Sequence, residues 1–209
     1  LNLRPEADRP ADFFVLQMRP MAAGEEHADV HVGDADRTDA LCYSKLCLGN
    51  GIIREAGDIV YVLPQRFDVA KTISIAEEIG RVNAQLKCQK RPYLLIGPGR
   101  WGSADRWLGI PVRWKDIDGV RAVIEVRNDQ LKADASQGSH FFQHLTSRGI
   151  VYMTVTENTD DFVRWPWLDN QPDAGGEHFV RCVRPPKTLL IKADGHHGQG
   201  AVVVDIPGD

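Results

Sequence analysis

Three short stretches of this sequence combine residues able to hold a phosphate or move a proton. The first is Gln17 and Arg19, in Phe13-Phe-Val-Leu-Gln-Met-Arg19, a predicted strand closed by Pro20. Residues two apart on a strand project from the same face. Gln17 and Arg19 therefore point one way, while Leu16 and Met18 fill the other. An amide beside a guanidinium suits a polyphosphate, because Arg offers a planar fork to phosphate oxygens. The competing reading is a solvated strand face with two ordinary polar residues.

The second stretch is Gly97-Pro98-Gly99-Arg100-Trp101-Gly102-Ser103, which follows the apolar run Tyr93–Ile96. Its glycines let a backbone approach a ligand closely. Successive N–H groups in such a turn can form an anion nest, and Arg100 adds a positive charge. The Gly-Lys-Ser/Thr ending of a P-loop is missing, and no helix clearly opens after the turn, as a dinucleotide fingerprint requires. The alternative is a tight loop that buries Trp101 and Trp107. The third stretch is Gly138-Ser139-His140, at the start of a helix predicted over 139–147. N–H groups and the dipole at a helix start favour an anion. His140 there would bind a phosphate, accept one covalently, or serve only as a helix-start histidine.

Other polar residues suggest less. His140 and His144 stand four apart and could share a metal. Position 141 is Phe, where a zincin motif needs Glu, and no third ligand is evident, so no metal site is assigned. His196-His197 falls in a Gly-rich turn and is expected to be solvated. Asp105, Asp116, Glu125 and Asp129 are available for acid–base work. Glu125 interrupts an apolar strand: it faces outward, or it is buried and needs a partner. Trp165-Pro-Trp-Leu168 reads as a packing plug.

The elements that must position these residues follow from hydrophobic patterning. Residues 58–63 form a strand ended by Pro64. Asp68 caps a helix reaching about Leu86, whose buried face is Val69, Ile73, Ala76, Ile79, Val82 and Leu86. Strands are predicted at 93–96, 120–126 and 150–155, with Gly149 closing the helix before the last. Three short strands end the chain, 179–183, 188–192 and 201–204, separated by Pro185-Pro186 and Gly195–Gly200. The fold class is mixed α/β (α+β): a mixed sheet flanked by helices, with a C-terminal antiparallel meander. Residues 22–40 are small and acidic and read as linker, so the domain division is 1–40 and 41–209.

Composition excludes several classes. A length of 209 residues fits one domain with an attached piece. Net charge is −4, with both signs interspersed, so no nucleic-acid face is expected. No run approaches the ~20 apolar residues of a membrane helix. Cys42, Cys47, Cys88 and Cys182 lack zinc-knuckle spacing and read as free thiols in a reducing cytoplasm. The chain opens at Leu1 with neither an initiator Met nor a signal peptide, which suggests a fragment.

The run Phe14-Val-Leu-Gln-Met-Arg-Pro20 resembles the last nucleotide-domain strand of phosphoenolpyruvate synthase and pyruvate, phosphate dikinase, of the ATP-grasp class. In that family a Gln-x-Arg pair contacts ATP phosphates and metal, and it matches Gln17 and Arg19. Leu94–Asp105, Leu108-Gly-Ile-Pro-Val-Arg-Trp114 and Gly138-Ser-His-Phe-Phe142 are similar to the C-terminal region of long bacterial phosphoenolpyruvate synthase-like, pyruvate-binding proteins. The resemblance spans most of residues 12–205. It implies an upstream ATP-grasp domain, with Mg2+ and ATP bound there. It also implies a small anionic ligand such as phosphate or phosphoenolpyruvate/pyruvate for Gly97, Gly99, Arg100, Gly102, Ser103 and Ser139. The Ser-His-helix-Gly-Ile-strand order around His140 is similar to the family's phosphohistidine domain. It departs from that pattern in having one glycine for two, and in Phe141 and Phe142, where small residues stand in the family. This chain alone is then expected to have no turnover; the alternative is a non-catalytic module that binds an anionic metabolite or packs on the ATP-grasp domain.

Overall fold

Four apolar runs form the parallel centre of the molecule. The computed structural model describes residues 29–103, 105, 107–127, 141, 145, 147–157 and 159–204. In chain order the first elements are α1 (Asp34–Asp39), β1 (Ala40–Ser44), β2 (Cys47–Leu48), β3 (Gly51–Ile53), β4 (Asp58–Val62) and α2 (Thr72–Cys88). Then come β5 (Tyr93–Pro98), β6 (Arg100–Trp101), β7 (Gly109–Ile110), α3 (Trp114–Ile117), β8 (Val120–Arg127) and β9 (Val151–Thr156). The chain continues through β10 (Phe162–Val163), α4 (Trp165–Asp169), β11 (Asp173–Gly176), β12 (Val180–Val183), β13 (Leu189–Asp194) and β14 (Gln199–Val204).

A seven-stranded sheet has the order β11-β12-β4-β5-β8-β9-β2. Its four middle strands run parallel, and the outer ones antiparallel. These middle strands are apolar at nearly every position because both faces are covered. Ile59, Tyr61, Leu94, Ile96, Ile124 and Met153 face a second, five-stranded antiparallel sheet, β10-β1-β14-β13-β3. Val60, Val62, Leu95, Val123 and Tyr152 face α2, through Ile75, Ile79, Val82 and Leu86. The parallel strands lie side by side in chain order. Crossovers of one hand between successive neighbours put their connections on one face. α2 and α3 therefore flank one face of this sheet, and the five-stranded sheet covers the other.

Polar contacts join these layers. Asn83 Oδ1 accepts from the Tyr93 hydroxyl and the Gly119 amide, both at 3.0 Å. Glu78 Oε2 accepts from the Phe179 and Val180 amides at 2.8 and 3.0 Å, which ties α2 to β12.

Several local expectations need correction. Asp68 does cap, accepting from the Ala70 amide at 2.8 Å, but it opens a 3-10 turn over Val69–Lys71. Inside α2, Ile75, Ile79, Val82 and Leu86 follow at steps of four, three and four and share one face, which turns Ile73 about 200° away from Ile75. Ile75 is buried in place of Ile73, which is 47% exposed. The C-terminal strands are antiparallel, yet they do not form one meander: β12 pairs with β4, while β13 and β14 form a hairpin in the other sheet. Part of the expected linker is packed. Val30 and Val32 are buried, and α1 lies against β14 and β1. The acidic composition of 22–40 hid that alternation. The predicted strand at 13–19 lies outside the described residues.

All four cysteines are free, and only Cys88 is exposed. Burial pushes the Cys47 and Cys182 thiols up to about 12, and raises Cys42 as well. The thiolate is the reactive form. One thiol per native chain is therefore expected to react with a chromogenic disulfide reagent at pH 8, and all four in denaturant. Cys88→Ser should remove the fast phase; a fast phase that survives it contradicts the packing.

Candidate functional site

Parallel register builds the site at one end of the sheet. Gly97, Glu125 and Thr154 are level on adjacent strands β5, β8 and β9. Level residues in a parallel sheet share a face. Here it is the helix-side face, since Leu95, Val123 and Tyr152, two residues earlier, pack under α2. The row lies toward the C-terminal ends of the parallel strands, where open α/β sheets bind their ligands.

Glu125 is fully buried, so the outward-facing reading is overturned. Its carboxylate Oε2 accepts from the Tyr152 hydroxyl. The neighbouring Thr154 is also fully buried, and its Oγ1 has no hydrogen-bond partner among the described residues. A buried carboxylate held by a phenol, with a hydroxyl beside it, is costly to maintain in an otherwise apolar layer. Tyr152 and Thr154 escape sequence reasoning because they sit in an apolar strand. The signal that does mark them is the period-two series Tyr152, Thr154, Thr156.

The Gly97–Ser103 loop closes over this row. Trp101 is 1% exposed, and its indole N–H donates to the Ile124 carbonyl at 3.2 Å. The ring occupies the space above Gly97: a Cβ there would lie 2.6 Å from Trp101 Cζ2 and 3.0 Å from Val62 Cγ2. Gly99 and Gly102 take left-handed backbone, with φ of 69° and 70°. A Cβ on Gly102 would enter the Phe141 ring, at 2.4 Å. Trp107, by contrast, is 54% exposed, so the loop buries one tryptophan and not the expected two.

The amides expected to form an anion nest are already engaged. Gly99 donates to Val126, Arg100 to Leu108 and Gly102 to Ile110, at 2.9–3.1 Å. These bonds, with the β6–β7 pairing, fold the loop onto itself. Arg100 and Ser103 are both half-buried, and Ser103 Oγ donates to the Asp105 carbonyl at 2.8 Å.

The remaining acids have local duties. Asp105 Oδ1 accepts from the Trp107 amide at 2.9 Å, and Asp116 Oδ2 from the Arg113 amide at 2.8 Å. Gln17, Arg19, Asp129, Gly138, Ser139, His140 and His144 lie outside the described residues. Trp165 and Trp167 pack against the core between the sheets, as a plug should. Trp165 also helps line a crevice of about 20 Å3 with Val62, Pro98, Val126 and Glu157, at the same end of the sheet. That volume holds one water. A larger groove of about 520 Å3 lies at the open end of the β13–β14 hairpin, lined by Arg54, Leu189 and Val203, away from the row. No described helix is long and apolar enough to cross a membrane. No protein-family model, curated protein or solved structure matches this chain.

Proposed function

We propose that this chain is the C-terminal part of a cytoplasmic ATP-dependent phosphotransferase of the phosphoenolpyruvate synthase-like group. In this reading its parallel sheet binds a small anion, such as phosphate or phosphoenolpyruvate/pyruvate, at the strand ends. One contact carries the reading: the Phe141 ring lies against Gly102. Phe141, which directly follows Gly138-Ser139-His140 in sequence, meets the loop that bears Arg100. Arg100 would neutralise the anion's charge, and an imidazole nitrogen of His140 would accept the phosphoryl group, breaking its bond to the nucleotide oxygen. Gln17 and Arg19 would complete the site for ATP and its Mg2+ on an upstream ATP-grasp domain.

A second reading, a non-catalytic module, draws support from the glycines themselves. Gly97 accommodates Trp101, Gly102 accommodates Phe141, and a Cβ on Gly109 would strike the Arg100 carbonyl at 1.9 Å. Packing alone then accounts for the loop. Labelling separates the two. The protein with its upstream domain is incubated with β,γ-labelled ATP and Mg2+. Acid-labile, base-stable label that disappears in His140→Ala supports the carrier. Absence of label, or label that survives the substitution, favours the module.

A further inference from the structure

The turn between β13 and β14 reads Asp194-Gly-His-His-Gly198. The sequence suggests only a solvated histidine pair, and the fold adds two partners. Asp194 ends β13 and is 1% exposed. Its Oδ1 accepts the His196 and His197 amides at 3.1 and 3.0 Å, which fixes the carboxylate and leaves Oδ2 turned to the histidines. Oδ2 lies 2.8 Å from His197 Nδ1 and 4.0 Å from His31 Nδ1. His31 arrives from the opposite end of the chain. Val30 and Val32 on either side of it are buried, so strand-like alternation turns His31 outward, over the turn. The two imidazoles meet edge to face, with centroids 6.2 Å apart.

One ligand atom from each of His31, Asp194 and His197 lies within 4.8 Å of the others. Bonds of about 2.0–2.2 Å to one ion place its donors roughly 3.3–4.2 Å apart. Adjustments of under about 1 Å close that difference. The His31 and His197 side chains, 77% and 66% exposed, have room to make them. We propose that His31, Asp194 and His197 bind one divalent transition-metal ion of the zinc class, with water in the remaining positions. Two imidazoles and one carboxylate suit Zn2+, Co2+ or Fe2+, and are a poor match for the all-oxygen shells of Mg2+ and Ca2+. Asp36, the nearby carboxylate, is occupied by Lys192. The ion would clip the extended segment before α1 to the β13–β14 turn. It lies in the five-stranded sheet, across the parallel strands from Trp101, so it is separate from the anion site.

The test uses the 209-residue chain without an affinity tag, stripped with chelator and titrated with Co2+ and then Zn2+. The expected result is one saturable site per chain, a Co2+ ligand-field spectrum without a thiolate charge-transfer band, and a Zn2+-dependent rise in Tm. Hydrogen exchange should slow at 29–33 and 194–200 on Zn2+ addition. His31→Ala and His197→Ala should each weaken binding at least tenfold while keeping the metal-free Tm, and His196→Ala should leave binding unchanged. The assignment is overturned by no saturable binding at micromolar metal, by binding that survives the double His31→Ala/His197→Ala variant, or by a thiolate band.

Discussion

Trp101→Ala is expected to cost the fold about 3–5 kcal/mol, the range for deleting a large buried aromatic side chain. The indole is buried and bonded to the Ile124 carbonyl, and its ring fills the space that Gly97 leaves. Removing it opens a cavity under the loop and loses that hydrogen bond. Gly97→Ala alone should cost about 1–3 kcal/mol by overpacking. In the Trp101→Ala background the same change should cost less, because the ring atoms it strikes are gone and only the Val62 Cγ2 contact remains. Urea unfolding of the four proteins in this cycle measures the coupling. Additive effects would mean that the ring does not need the glycine. Arg100→Ala should change stability by less than about 1 kcal/mol, so a defect in anion binding there is separable from misfolding.

The second large effect centres on Asp58. This carboxylate is fully buried at the start of β4, and it meets Arg91 from the turn after α2 and Arg184 from beyond β12. The Arg184 Nε–Asp58 Oδ1 distance is 2.8 Å. The bond to Asp58 raises the Arg91 guanidinium above its ordinary value. The double variant Arg91→Ala/Arg184→Ala strands a buried charge, and about 3–5 kcal/mol should be lost. Each single variant should lose much less, since one guanidinium still covers the carboxylate. Asp58→Asn should fall between them, because the two arginines, about a third to a half exposed, can turn to water. A double variant that unfolds at the wild-type urea midpoint would show that the pair of bridges is only superficial.

Legibility differed between the scaffold and the site for a physical reason. The runs at 58–63, 93–96, 120–126 and 150–155 announce strands because burial on both faces demands continuous apolar residues, a local property. Which sheet a strand joins is not local. Val180–Val183 and Leu189–Asp194 look alike in sequence, yet one completes the parallel sheet and the other pairs into the second sheet. Of two isoleucines two residues apart in α2, only Ile75 continues the stripe of Ile79, Val82 and Leu86, and Ile73 turns to solvent. The glycines of 97–102 invite a ligand reading, because nothing in the sequence says that Trp101 and Phe141 occupy the space they leave.

The sequence by itself determined the class of fold, the central strands, the free thiols and a short list of residues with suitable chemistry. Tertiary structure alone decided which of them meet. Parallel register set Glu125 beside Thr154 and brought Tyr152 to its carboxylate. Sheet packing carried His31 across more than 160 positions of chain to Asp194 and His197. Side-chain types are written residue by residue, whereas these contacts are made by elements far apart in sequence, whose pairing is settled by the burial of the whole core.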